Sequence, residues 1–229
     1  MNGNPVFATA QAIARLVTTV AFDMKVVGKQ HVPLKGGALI VCNHQSYIDP
    51  PAVGAQLKRF TNYLGKAELF STPWSNWLNR GMGAFPVRQG EGDIGAVREA
   101  IKRLKEGAAL VLFPEGSRTF DGELQPIAPG VGLIAKKAGV PVVPCVIDGS
   151  FYAWPRGRVI WRRYPVRMMF GPPMKLDHLK ATQIVQVIDH TLHEMLTDLR
   201  KQVSDPSSRL YAPPRRFAMK CRPTLPEAP

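Results

Sequence analysis

Acidic residues are scarce in this chain: 17 Asp and Glu stand against 30 Lys and Arg, for a formal net charge of +13. An excess of that size points to an anionic partner, either nucleic acid or an anionic membrane, which charge alone does not separate. Aromatic residues are also few, 8% of the total, and the sequence holds no aromatic–basic platform of the kind RNA-binding domains use. Nucleic acid is therefore ranked behind a phospholipid surface as partner. Only three cysteines occur, Cys42, Cys145 and Cys221, none at metal-ligand spacing. Two of them lie in apolar strand-like runs and read as reduced core thiols. No apolar run reaches the roughly 18 residues of a simple membrane span, and the first residues lack the basic and apolar regions of a signal peptide. In His190-Thr191-Leu192-His193-Glu194 the glutamate lies outside the histidine pair, so it is no zinc motif and both histidines read as ordinary helix residues. No metal site is expected.

What is present supports one sizeable domain: 229 residues, 45% of them hydrophobic. Pro5 to Phe22 is too polar to span a membrane and too apolar for an ordinary solvated helix. It reads as an interfacial helix lying among lipid headgroups with Arg15 on its polar side, the alternative being a helix packed on the domain's own core. From Gly36 onward strand and helix signals alternate, with strands expected at 37–42, 60–64, 84–87, 109–113, 142–147 and 158–169. Helices are expected at 50–57, 74–80, 93–106, 130–138 and 181–200. The segment 93–106 is the clearest, with Asp93 as its cap, a stripe of Ile94, Val97, Ile101 and Leu104, and Gly107 closing it. The final helix shows a stripe of Ile184, Ile188, Met195 and Leu199. This pattern predicts an α/β fold, a single domain with a largely parallel central sheet flanked by helices. The expected division is an N-terminal interfacial segment (1–30), the α/β domain (31–200) and a basic, proline-rich, poorly ordered tail (201–229).

The most informative segment is Asn43-His44-Gln45-Ser46-Tyr47-Ile48-Asp49-Pro50, directly after the apolar run Gly37–Cys42. A buried strand there delivers one histidine and one carboxylate to the mouth of the sheet. On a continuous helix His44 and Asp49 would point about 140° apart. Pairing them needs a turn entering a helix, with Asp49 near the N-cap and Pro50 in the first turn. So arranged, Asp49 orients His44 as a general base. Read alone, the octapeptide equally allows an exposed turn histidine and a simple capping aspartate.

Three further blocks follow in order: Gly83-Ala84-Phe85-Pro86-Val87-Arg88, Phe113-Pro114-Glu115-Gly116-Ser117-Arg118-Thr119 and Val140-Pro141-Val142-Val143-Pro144. With the octapeptide they resemble the four motif blocks of the glycerolipid acyltransferases, most closely the lysophosphatidic acid (1-acylglycerol-3-phosphate O-) acyltransferase branch, over about residues 30–150. The resemblance implies direct transfer of a fatty acyl group from acyl-CoA or acyl-ACP to the free hydroxyl of lysophosphatidic acid, forming phosphatidic acid, with no cofactor beyond the acyl donor. The alternatives are another lysolipid or glycerol 3-phosphate as acceptor, and, from another class, a catalytically silent membrane lipid-binding protein. His44 is the base and Asp49 its partner; Ser46 is not a nucleophile, since its surroundings are not a nucleophile elbow. The resemblance carries phosphate recognition onto Lys66, Arg88 and Arg118, and places Glu115 and Gly116 in the acceptor site. Gly116 permits positive φ and close backbone approach, making its amide an oxyanion-donor candidate. Glu115 either bonds the acceptor hydroxyl or braces Arg118 and Lys66. The family's N-terminal helical element implies a peripheral enzyme on the cytoplasmic face of a membrane. Arg156, Arg158, Arg162, Arg163 and Arg167, with Trp154, Trp161 and Tyr164 among them, suggest a second membrane contact or a basic exposed strand.

Overall fold

The computed structural model describes residues 5–87 and 94–212. Short β-rich runs build one seven-stranded sheet: β1 (Lys25–Val27), β2 (Ala38–Cys42), β3 (Thr61–Lys66), β4 (Ala84–Val87), β5 (Ala109–Leu112), β6 (Val142–Asp148) and β7 (Arg167–Phe170). Their spatial order is β1-β7-β6-β2-β5-β3-β4. The five strands from β6 to β4 are parallel, while β7 pairs antiparallel with β6 and carries β1 beside it. Helices α1 (Pro5–Phe22), α2 (Asp49–Gln56), α3 (Pro73–Gly81), α4 (Ile94–Lys105), α5 (Gly130–Ala138), α6 (Ser150–Ala153) and α7 (Ala181–Ser204) surround it.

Alternation along the strands divides the core in two. Leu39, Val41, Leu110, Leu112, Val142 and Val146 share a cluster with the buried residues of α4, α5 and α7. Ala38, Ile40, Cys42, Val111, Val143 and Cys145 share the other with α2 and Phe22. All five residues of β2 are buried, as a central strand covered on both faces requires. Each large aliphatic side chain sealed there contributes roughly 1.5–3 kcal/mol relative to exposure. Cys42 and Cys145 are free, buried and adjacent in the β2–β6 register.

Several expectations need correction. The strand expected at 158–169 is only β7: residues 156–163 are all exposed and form no strand, a stretch in which four arginines favour solvent over a sheet interior. Strand β1, three residues long, carries too little pattern to be seen. It also joins the sheet, so the domain begins before residue 31. In α4 the buried positions are Ala96, Ala100 and Leu104, with Val97 and Ile101 flanking. Ile94 is exposed, because alanines bring the helix close enough to the sheet to rotate the stripe. The Asp93 cap lies outside the described residues. Helix α7 runs on to Ser204, and Leu210 beyond it is buried, so the tail does not start at 201. Arg167 belongs to no surface patch. It is buried and donates to the Asp23 carboxylate and to the carbonyls of Asp23, Leu210 and Tyr211, clamping the end of α1 to the end of the described chain.

Arg15 also lies on an unexpected side. Gln11 Nε2 donates to the carbonyls of Gly54 and Leu57, and the Arg15 guanidinium donates twice to Ala55 O. The last carbonyls of α2 have spare acceptor capacity and carry the negative end of its dipole, so an arginine and an amide settle there. Turning its polar side inward leaves α1 with Ile13, Leu16, Val17 and Val20 exposed on the outer face, the spacing of a single helical stripe. No helix among the described residues is long and apolar enough to cross a membrane.

Candidate active site

The site forms at the carboxyl ends of β2, β5 and β6. There the chain, having built strands to one side of β2, crosses to the other, which is where open α/β sheets create a crevice. The turn after β2 is held residue by residue. The Asn43 side chain exchanges two hydrogen bonds with the Ile147 backbone of β6, at 2.8 and 2.9 Å. Gln45 Nε2 donates to Gly122 O, and Gln45 Oε1 accepts from Ser150 Oγ and Phe151 N–H. Ser46 Oγ donates to Trp154 O, an occupation that suits a tether. Thr119 N–H donates to His44 O at 2.8 Å.

This turn folds Asp49 back beneath His44. Asp49 is the first residue of α2, fully buried, with Pro50 following. Its Oδ2 accepts the N–H groups of Gln45 and Ser46, both at 2.6 Å, and faces His44 Nδ1 at 2.9 Å. With the carboxylate accepting, Nδ1 carries the proton and Nε2 is left with its lone pair. The imidazole stacks on Phe113, ring centroids 4.3 Å apart, and the His44 side chain keeps 16% of its surface. An edge of an otherwise fixed ring is therefore accessible. Asp49 Oδ1 is buried with no hydrogen-bond partner among the described residues.

Glu115 is held by two backbone amides. Its Oε1 accepts the His44 N–H at 2.7 Å and its Oε2 accepts the Gln125 N–H at 3.1 Å. It thus ties the histidine turn to the loop after β5. Burial pushes its carboxyl up to about 7, against the pull of the two amides, with Asp49 and Asp121 adding to the rise. Gly116 has φ 69° and open space where a Cβ would stand. Its N–H turns back to Phe113 O at 3.2 Å. The Arg118 guanidinium lies 3.4 Å above the Tyr47 ring, which also leans on Trp154. Arg118 Nη1 is buried without a hydrogen-bond partner among the described residues. Lys66 ends β3, at the same edge of the sheet as His44; Arg88 lies outside the described residues.

Asn43, Gln45, Tyr47 and Phe113 are parts that motif reading left without roles. The signal available for them was the density of amide and hydroxyl groups after a fully apolar strand, since a buried turn must satisfy each of them. No group of three or more potential metal ligands exists among the described residues. A histidine with a free lone pair, a buried carboxylate behind it and an arginine beside it can withdraw a proton from a hydroxyl next to an anionic group.

The acyltransferase family model matches residues 23–148, more than half of the 229. The 1-acyl-sn-glycerol-3-phosphate acyltransferase of Bacillus subtilis (strain 168) is 24% identical over 193 residues, covering 82% of this chain and 94% of that protein. The alpha enzyme of the same name from Ovis aries is 29% identical over 189 residues, covering 80% and 64%. The chloroplastic enzyme BAT2 of Brassica napus is 29% identical over 152 residues, covering 63% of this chain and 44% of that one. The chain thus spans nearly all of the bacterial relative and less than half of the chloroplast one. The crystal structure of PlsC, the 1-acyl-sn-glycerophosphate acyltransferase from Thermotoga maritima, superimposes with a TM-score of 0.74 and 25% identity, over 84% of this chain and 79% of that one. In sequence and in fold alike, this chain belongs to the acyltransferase family and is an acyltransferase enzyme.

Proposed function

We propose that this enzyme transfers a fatty acyl group from a thioester, acyl-CoA or acyl-ACP, to the free hydroxyl of lysophosphatidic acid, forming phosphatidic acid. The observation that carries this reading is the His44–Asp49 pair at 2.9 Å, on a histidine side chain still 16% exposed at the carboxyl edge of the sheet. The names of the relatives support the acceptor.

The chemistry follows from the groups at hand. The acceptor hydroxyl gives its proton to His44 Nε2 as its oxygen attacks the thioester carbonyl. Asp49 holds the Nδ1–H tautomer and balances the imidazolium that forms. The tetrahedral adduct collapses, the C–S bond breaks, and the thiolate takes the proton back from Nε2. No covalent acyl-enzyme arises. Arg118, its guanidinium set 3.4 Å over the Tyr47 ring, grips the acceptor phosphate in the fork geometry that guanidinium and phosphate share. The resemblance assigns Lys66 and Arg88 the same phosphate-binding role. Glu115 acts as a positioning residue that fixes the histidine turn.

The acceptor and product are lipids, and the outer stripe of α1 suits a bilayer. Four aliphatic side chains face outward there on a chain of net charge +13. We assign the enzyme to an anionic membrane surface on the cytoplasmic side, held peripherally through α1. The test is acyl transfer by purified protein in mixed micelles, offering labelled acyl-CoA and acyl carrier protein in turn against lysophosphatidic acid, other lysolipids and glycerol 3-phosphate. Phosphatidic acid as the preferred product is expected. Transfer to glycerol 3-phosphate or to a phosphate-free lysolipid in preference would overturn the acceptor assignment.

A further inference from the structure

The loop between α6 and β7 is built as a protrusion. Arg162 N–H donates to Ala153 O at 2.7 Å, closing its base, and Trp154 Nε1 donates to Arg158 O at 2.8 Å, bracing its interior. The tip this holds outward is apolar: Val159 is 89% exposed, Ile160 78% and Trp161 46%. Arginines bracket the tip at 156, 158, 162 and 163, and no acidic residue occurs between Gly149 and Val166. Such a tip in water exposes aliphatic surface with no compensation, and two of the most exposed hydrophobic residues of a chain are seldom neighbours without a partner.

Two contacts join this loop to surfaces already described. The Trp161 ring meets Phe22, the buried last residue of α1, centroids 5.3 Å apart, so the tip is seated against the end of the helix whose other face carries the exposed apolar stripe. At the base, Trp154 leans on Tyr47, the shelf of Arg118. Arg156 lies 4.6 Å over the exposed ring of Phe120, on the loop that follows β5. The protrusion thus spans from α1 to the rim of the active site.

We propose that residues 156–163 are a second bilayer contact, in which Val159, Ile160 and Trp161 enter the headgroup–acyl boundary while the flanking arginines bind anionic headgroups. Aliphatic tip, aromatic shoulder and arginine collar match the layering of an anionic interface, apolar inside and negative at its surface. With α1 on one side and this loop on the other, the mouth containing His44 is held against the membrane. This rests on the reading that the acceptor is a bilayer lipid. An acidic acyl-carrying protein is the competing occupant; the apolar tip, seated against the end of the helix that carries the exposed aliphatic stripe, favours lipid.

The test uses the full chain and vesicles of phosphatidylcholine with and without phosphatidylglycerol, scored by co-sedimentation. The double variant V159S/I160S, changed only at exposed positions, should bind mixed vesicles about tenfold or more weakly. Arg158→Ala should lose about fivefold, only when phosphatidylglycerol is present and only at low salt. Turnover of a short-chain acceptor dispersed as monomers should be unchanged in both variants. Vesicle binding equal to wild type in V159S/I160S would overturn the proposal. So would unchanged vesicle binding with a raised KM for an acyl-carrier donor, which would assign the loop to that protein. If the wild type uses no lysolipid while V159S/I160S still loses vesicle binding, the loop assignment stands and the acceptor assignment falls.

Discussion

Replacing Asp49 by Asn isolates the electrostatic half of the proposed dyad. The substitution preserves shape and can keep one oxygen over the amides of Gln45 and Ser46. It removes the negative charge 2.9 Å from His44 Nδ1. Two unit charges at that separation interact by about 6 kcal/mol at an effective dielectric of ~20, and about 3 kcal/mol at ~40. The His44 edge reaches solvent while Asp49 is fully buried, so these values bracket the stabilisation lost when the imidazolium forms. At about 1.4 kcal/mol per decade, kcat should fall by roughly 10²–10⁴. Stability should fall less. The Asn amide would occupy the place of Oδ1, which has no partner among the described residues, an unsatisfied group costing about 1–3 kcal/mol. For a domain of this size that lowers Tm by about 2–12 °C. The assay is steady-state transfer with saturating donor and acceptor, alongside thermal unfolding of the same preparation. A folded Asp49→Asn enzyme with kcat within about threefold of wild type would refute the dyad, because no other acid touches His44 Nδ1 among the described residues.

Two further predictions concern neighbours of that pair. Arg118→Ala should raise KM for a phosphate-bearing acceptor by about 10–100-fold with a smaller change in kcat; Tyr47→Phe should match wild type and Tyr47→Ala should share the KM defect, whereas an unchanged acceptor KM in Arg118→Ala would remove the guanidinium from the site. Glu115 sits at about 7, above the ordinary 4.5 of a free glutamate, so the fold favours its protonated form. The stability this contributes is complete below about pH 4.5 and is lost as pH rises through about 7. Glu115→Gln, permanently neutral, should lack that loss. Its Tm relative to wild type should therefore rise between pH 5 and pH 8 by several degrees, on the order of 2 kcal/mol after allowance for partial solvation. A Tm difference independent of pH would contradict the raised carboxyl.

The periodic parts of the fold were legible in the sequence because burial on two faces leaves unmistakable runs. Leu39-Ile40-Val41 and Leu110-Val111-Leu112 could be little else than central parallel strands. The octapeptide was legible because a carboxylate five positions after a histidine, followed by proline, needs a turn into a helix. Long-range choices were not. Glu115 carries no local sign that it will accept the amides of residues 71 positions before and 10 positions after it. Nothing near Arg15 says that the nearest unmet carbonyls belong to α2, yet that pairing decides which side of α1 faces outward. Arg167 looks the same in sequence as Arg162 and Arg163, and only the approach of Asp23 and the last turn of chain buries it. Polar groups whose partners lie far along the chain are where sequence reading gave way.

The central claim is that His44 Nε2 takes the proton of the acceptor hydroxyl. Single-turnover acyl transfer to lysophosphatidic acid in vesicles, with wild type and His44→Ala compared at matched bound protein, tests it most directly. A fall of about 10²–10⁴-fold in the transfer rate, with circular dichroism and vesicle binding unchanged, is the predicted result. A rate within about tenfold of wild type from folded, membrane-bound His44→Ala would contradict the account and require another base.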